Sequence, residues 1–192
     1  MNYQDYIWDL GGTLLDNYET STAAFVHTLQ DFGLTASHDE VYKALKVSTD
    51  YAVRLFAPGN KEFLKAYKAN EAKELEHPIL FEGASELLAQ IIQQGGRNFL
   101  ISHRDDQVLE ILQKTQISAY FTEVVTATNG FKRKPDPESM LYLKDKYQIE
   151  SGLVIGDRPI DIEAGQAAGF SCYLFDNMRN LEEFVDIELE KE

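Results

Sequence analysis

Cysteine is all but missing: Cys172 is the only one in 192 residues. A single thiol cannot close an intrachain disulfide, so the fold must rest on its core, as suits a reducing compartment. Cys172 sits in the apolar run 170–175 and reads as a small buried hydrophobe. Basic residues are scarce too. There are 18 Lys+Arg against 32 Asp+Glu, a net charge of −14. A chain this acidic is a poor sequence-independent binder of DNA, RNA or anionic membrane, because polyanions attract basic patches. No apolar run approaches the ~18 residues of a membrane-crossing helix. The first residues carry no basic segment, so no signal peptide is expected, and a cytoplasmic location follows as an expectation. Repeats and low-complexity linkers are absent as well. What is present, 44% apolar and 11% aromatic residues, is enough to build a core and excludes wholesale disorder. The length predicts one domain, or one domain with a sizeable insertion.

Two patterns divide the chain. Tyr6-Ile7-Trp8 reads as a short strand stopped by Asp9-Leu10-Gly11-Gly12-Thr13, a tight turn. Residues 17–77 then read as almost purely helical. Phe25, Val26, Leu29 and Phe32 recur at helical spacing, with Gly33 as a C-terminal cap. Ser37 followed by Glu40 predicts a capping box, and Pro58-Gly59-Asn60 breaks a helix. Phe63, Leu64, Tyr67 and Leu75 mark another helix, which His77-Pro78 ends. From Ile79 onward strands and helices alternate. Helices are expected over 85–94, 105–114, 137–147, 161–168 and 181–189, and strands over 98–101, 123–126, 153–155 and 170–175. Apolar strands separated by helices predict an α/β core, a Rossmann-like parallel sheet with helices on both faces. The expected division is a core of residues 1–16 and 78–192 with an α-helical insertion, 17–77.

Ligands of open α/β sheets bind beyond the carboxyl ends of the strands. Here the first strand delivers Asp9, the second Ser102, and Leu153-Val154-Ile155-Gly156 delivers Asp157, with Asp161 four residues on. A loop after the third strand carries Lys132-Arg133-Lys134-Pro135. If the strands are parallel, two or three carboxylates, a hydroxyl and a lysine meet on one rim. Carboxylates at close quarters repel unless a cation sits between them, and carboxylate and carbonyl oxygens suit Mg²⁺. Ser102 and Lys134 can hold a phosphate there, and a free Asp can attack phosphorus to form an aspartyl-phosphate. Each residue alone has a plainer use as a turn or helix cap. Their combination and order are what point to chemistry.

Together Asp9-Leu10-Gly11-Gly12-Thr13-Leu14, the Ser102 strand end, Lys134-Pro135-Asp136-Pro137 and Gly156-Asp157-Arg158-Pro159-Ile160-Asp161 resemble the four motifs of the haloacid dehalogenase superfamily. They stand in that family's order over nearly the whole chain. The helical stretch resembles its inserted cap, and the set is most similar to the phosphoglycolate-phosphatase and β-phosphoglucomutase branch. The resemblance implies an Mg²⁺-dependent phosphatase acting on a small phosphorylated metabolite. It implies Asp9 as nucleophile. It implies Asp9, Asp157 and the Gly11 carbonyl as metal ligands, with Asp161 a ligand or its support. Gly12, Thr13, Ser102, His103 and Lys134 are implied as phosphate-binding, Ser102 and Lys134 as catalytic, and Lys134 as restraining the Asp9 carboxylate. The cap is expected to select the substrate and exclude water.

One position departs from the pattern. The family's phosphatases usually carry an acid/base Asp two residues after the nucleophile, and here that residue is Gly11. General acid–base catalysis contributes ~10²–10⁴-fold, so the change matters. It leaves a phosphatase that moves the proton by another group, a phosphonatase-like P–C hydrolase using Lys43 or Lys46, or a phospho-ligand binder without turnover. His27, His77 and His103 are the candidate proton carriers. A receiver domain, which also phosphorylates an Asp, fits poorly, because here the acidic pair comes last and a helical insertion follows the first motif. Five of the 18 cations, Arg104, Lys132, Arg133, Lys134 and Arg158, lie beside the proposed motifs. A locally cationic rim thus suits a small phosphate ester despite the acidic total.

Overall fold

The computed structural model describes residues 3–74 and 76–189, so Leu75 and the end of the acidic tail lie outside the described residues. The chain divides into two compact units, one of residues 1–15 and 80–192 and the other of residues 16–79.

The first unit is a five-stranded sheet: β1 (Asp5–Trp8), β2 (Arg97–Ile101), β3 (Phe121–Val125), β4 (Gly152–Gly156) and β5 (Ser171–Leu174). The order is β3-β2-β1-β4-β5, and every pairing is parallel. Between strands run α5 (Ala84–Gln93), α6 (Gln107–Lys114), α7 (Glu138–Tyr147) and α8 (Pro159–Ala167), with α9 (Met178–Leu189) last. The period-2 geometry of a strand splits the apolar residues between two faces. Tyr6, Trp8, Leu100, Leu153 and Ile155 pack with Leu88 of α5, Leu112 of α6 and Leu181 of α9. Ile7, Phe99, Ile101 and Val154 pack on the other face with Met140 and Leu143 of α7 and Ala164 of α8. A parallel sheet covered on both faces is what the uninterrupted apolar strands predicted.

Two polar contacts staple β1 to β2, one buried and one partly exposed. Trp8 Nε1 donates to Asn98 Oδ1 at 2.9 Å, and Asn98 Nδ2 donates to the carbonyls of Leu88 and Tyr120. At the opposite end, Arg97 forms a two-pronged pair with Asp5 at 2.5 and 2.9 Å.

The second unit is four helices: α1 (Asn17–Asp31), α2 (His38–Val47), α3 (Thr49–Phe56) and α4 (Phe63–Glu74). Phe25 sits at its centre, its ring 5.0 Å from both Phe63 and Tyr67. Ser37 and Glu40 form the expected capping box, and Gly33 takes φ +69° just beyond α1. Several ends differ from the sequence reading by a few residues: α6 begins at Gln107 and α9 at Met178, because local pattern marks the apolar stripe and not its caps. Cys172 lies on edge strand β5 and is half-buried, its Sγ against Gly165, whereas a fully buried thiol was expected. An edge strand has cover on only one side of its backbone.

Candidate active site

β1 is the topological switch of the sheet, since the chain adds β2 and β3 on one side of it and β4 and β5 on the other. Trp8 pairs with both Leu100 and Ile155, which brings the next residues of three strands to one level. Asp9 N–H continues the ladder to the Ile155 carbonyl at 2.9 Å, and Ser102 N–H does the same to Val125. The rim predicted from the strand ends therefore forms.

The turn after β1 folds over a single acceptor, the Leu10 carbonyl, which receives the N–H groups of Leu14 and Leu15. Gly12 lies at φ +83°, and a β-carbon on it would collide with Asp157 Oδ2. Gly156 has the same reason to be glycine, because a β-carbon there would lie 2.5 Å from Asp161 Cγ. The two glycines let two carboxylates pack against main chain. Thr13 is fully buried, and its hydroxyl finds no hydrogen-bond partner among the described residues.

Lys134 sits at the centre. Its buried ammonium donates to Asp9 Oδ1 and to Asp161 Oδ1, each at 2.6 Å. Asp161 Oδ2 accepts the Arg158 N–H at 3.1 Å, which caps α8. Both oxygens of Asp161 are thus held by protein groups. Asp157 is different: its Oδ1 is buried and without a partner among the described residues. Burial, then the Asp9 and Asp161 charges, push its carboxyl up to about 6. Burial also pushes the Asp9 carboxyl up, opposed by the Lys134 ammonium. One oxygen from each of Asp9, Asp157 and Asp161 lies within 4.8 Å of the others. Three carboxylates that close, one with an unsatisfied buried oxygen, fit a hard divalent cation.

Ser102 Oγ accepts the Arg104 N–H at 3.2 Å, which leaves its hydroxyl proton to donate. His103 Nε2 accepts the Lys134 main-chain N–H at 3.0 Å. Burial, together with Lys134, Arg133 and Arg158, lowers its pKa to about 4, so the ring is neutral at pH 7. The other cations placed beside the motifs vary. Lys132 and Arg133 are exposed, and Lys132 lies 3.6 Å from Asp136. His27 is exposed and 3.8 Å from Asp31, and His77 is exposed. Within the helical unit Lys43 and Lys46 are exposed, and Lys46 Nζ lies 5.0 Å over the Tyr42 ring.

Sequence reasoning missed that His103 accepts the Lys134 main-chain N–H. That contact has no local signal, because it joins segments 31 residues apart.

The family model described as haloacid dehalogenase-like hydrolase matches residues 6–175. The crystal structure of a hydrolase from Streptococcus pneumoniae TIGR4 is 70% identical and superposes with a TM-score of 0.94, covering 97% of this chain and 100% of that one. A phosphoglycolate phosphatase of Aliivibrio fischeri is 29% identical over 88% of this chain and 81% of its own length. A pyrophosphatase of Oceanobacillus iheyensis is 26% identical, again over 88% of this chain and 81% of its own. With its motifs assembled on the rim of a parallel sheet, the chain belongs to the haloacid dehalogenase-like hydrolase family.

Proposed function

We propose that the protein is a magnesium-dependent phosphatase that hydrolyses a small phosphorylated metabolite through an aspartyl-phosphate on Asp9. The observation that carries this reading is the buried Lys134 ammonium shared by Asp9 and Asp161 beside the unpartnered Asp157 oxygen. Relatives named phosphoglycolate phosphatase and pyrophosphatase support the substrate class.

Asp9, Asp157 and the Gly11 carbonyl would hold the cation, with Asp161, each of whose oxygens accepts one protein hydrogen bond, a further ligand or the support of Lys134. Bound Mg²⁺ supplies positive charge for the phosphoryl oxygens. Asp9 attacks phosphorus as the bond to the leaving oxygen breaks; water then cleaves the aspartyl-phosphate, releasing inorganic phosphate and restoring Asp9. Lys134 holds the Asp9 carboxylate in place and, with the Ser102 hydroxyl and the buried Thr13 hydroxyl, donates to the phosphoryl group. Stabilising that charge supplies most of the rate. Residue 11 offers no carboxyl to protonate the leaving group. The helical unit is the substrate-selecting cap.

The test is a screen of phosphorylated metabolites with and without Mg²⁺, run beside Asp9→Asn. Metal-dependent phosphate release that disappears in Asp9→Asn is expected. Release that survives the substitution overturns the assignment.

A further inference from the structure

Lys134 must place one ammonium between two carboxylates, and four rotatable side-chain bonds give it freedom to miss. Its main chain therefore has to be held. Among the described residues its N–H has the His103 imidazole as acceptor, at 3.0 Å, across 31 residues of sequence. His103 stands directly after Ser102, at the end of β2, so the contact ties the lysine loop to the sheet.

We propose that His103 is a positioning residue: its Nε2 accepts the Lys134 main-chain N–H and thereby sets where the lysine ammonium meets Asp9 and Asp161. Several observations support it. An accepting Nε2 requires the neutral ring with its proton on Nδ1. The surroundings keep the ring neutral, since it is partly buried and faces Lys134, Arg133 and Arg158, with Asp161 the opposing charge. His103, Ser102 and Arg133 also border a cavity of ≈ 220 Å³, so the main chain beside this contact is not closely packed on that side. A ring whose Nε2 is already engaged is also poorly placed to carry the missing leaving-group proton through that nitrogen.

The kinetic consequence rests on the phosphatase reading; the structural one does not. Two variants separate the hydrogen bond from bulk. His103→Leu keeps volume and removes the acceptor; His103→Gln keeps an acceptor in the side-chain carbonyl. With p-nitrophenyl phosphate as probe, His103→Leu is expected to lower kcat about 10–100-fold with KM nearly unchanged, and His103→Gln to restore most of it. Added to Lys134→Met, His103→Leu is expected to cost nothing further, because it acts through the lysine. A rise in KM with kcat unchanged, or equal losses in Leu and Gln, overturns the proposal. A crystal structure of His103→Leu decides the matter even if no phosphate ester is turned over, or if Lys134→Met does not fold. Lys134 Nζ displaced from Asp9 and Asp161 supports the proposal, and Nζ still within hydrogen-bond distance of both overturns it. Absence of turnover in the wild-type protein, with the displacement present, would count against the phosphatase reading alone.

Discussion

The α-carbon of Gly12 lies against the carboxylate of Asp157, so close that a β-carbon there would stand 2.7 Å from Asp157 Cγ. Gly12→Ala must therefore push Asp157 aside, and it also strains a backbone at φ +83°. The expected outcome is a folded protein whose Mg²⁺ affinity falls about 10–100-fold, read by calorimetric titration. Unchanged affinity would show that Asp157 is not part of the cation site.

Lys134 bridges two buried carboxylates with one ammonium. Lys134→Met leaves them facing each other without the cation between them. The expected loss is about 3–5 kcal/mol at pH 7, measured by urea unfolding. The loss is expected to shrink at pH 5, since burial already pushes the Asp9 carboxyl up and its protonation relieves the repulsion.

Two groups give opposite slopes of stability against pH. The Asp157 carboxyl is raised from 3.8 to about 6, so its folded form holds the proton longer than the unfolded chain. Its contribution is present below about pH 4 and lost as pH rises through about 6. His103 is lowered from 6.5 to about 4, so its contribution is present above pH 6.5 and lost as pH falls towards 4. Between pH 4 and 6, Asp157→Asn is expected to tilt the Tm–pH curve towards rising, and His103→Gln towards falling, each relative to wild type. Saturating Mg²⁺ should act as Asp157→Asn does, because the cation favours the charged carboxylate.

Residue 11 is glycine, so it carries no carboxyl that could act as an acid in the proposed reaction. Hydrolysis is expected to favour aryl, acyl and anomeric phosphates over simple alkyl phosphates. A flat kcat/KM across a leaving-group series would exclude this. Gly11→Asp is expected to raise turnover of alkyl phosphates, by up to the ~10²–10⁴-fold that general acid–base catalysis supplies.

Asn98 is the polar centre of the sheet, joined to Trp8, Leu88 and Tyr120. Asn98→Leu strands the buried indole N–H and two carbonyls. The expected cost is about 1–3 kcal/mol in urea unfolding, with the active-site geometry intact.

Much of this was legible in the sequence. Tyr6-Ile7-Trp8 and Leu153-Val154-Ile155 announce buried parallel strands, because strands covered on both faces are apolar without alternation. Asp9, Ser102 and Asp157 follow strand ends, and topology alone then sends them to one rim. The family's motifs are short and local, so they survive in a linear reading. Ser37 and Glu40 also declare their helix start, since capping is local chemistry.

Tertiary structure decided what depends on partners far along the chain. Sequence offered no partner for Asp161; the fold gives one of its oxygens to the Lys134 ammonium and the other to the Arg158 N–H. It named His103 as a phosphate contact or proton carrier, and the fold gives its Nε2 to the Lys134 main chain. It placed Gly12 in a turn and Gly156 at a strand end, and the fold shows two carboxylates packed where side chains would be. The opening scarcity of basic residues is the clearest case. A net charge of −14 describes the whole chain, yet at the rim one buried lysine meets two carboxylates beside an Asp157 oxygen with no partner among the described residues. Composition sets the average field, whereas contacts of 2.6 Å between buried side chains set the local one, and charge interactions there are stronger than in water.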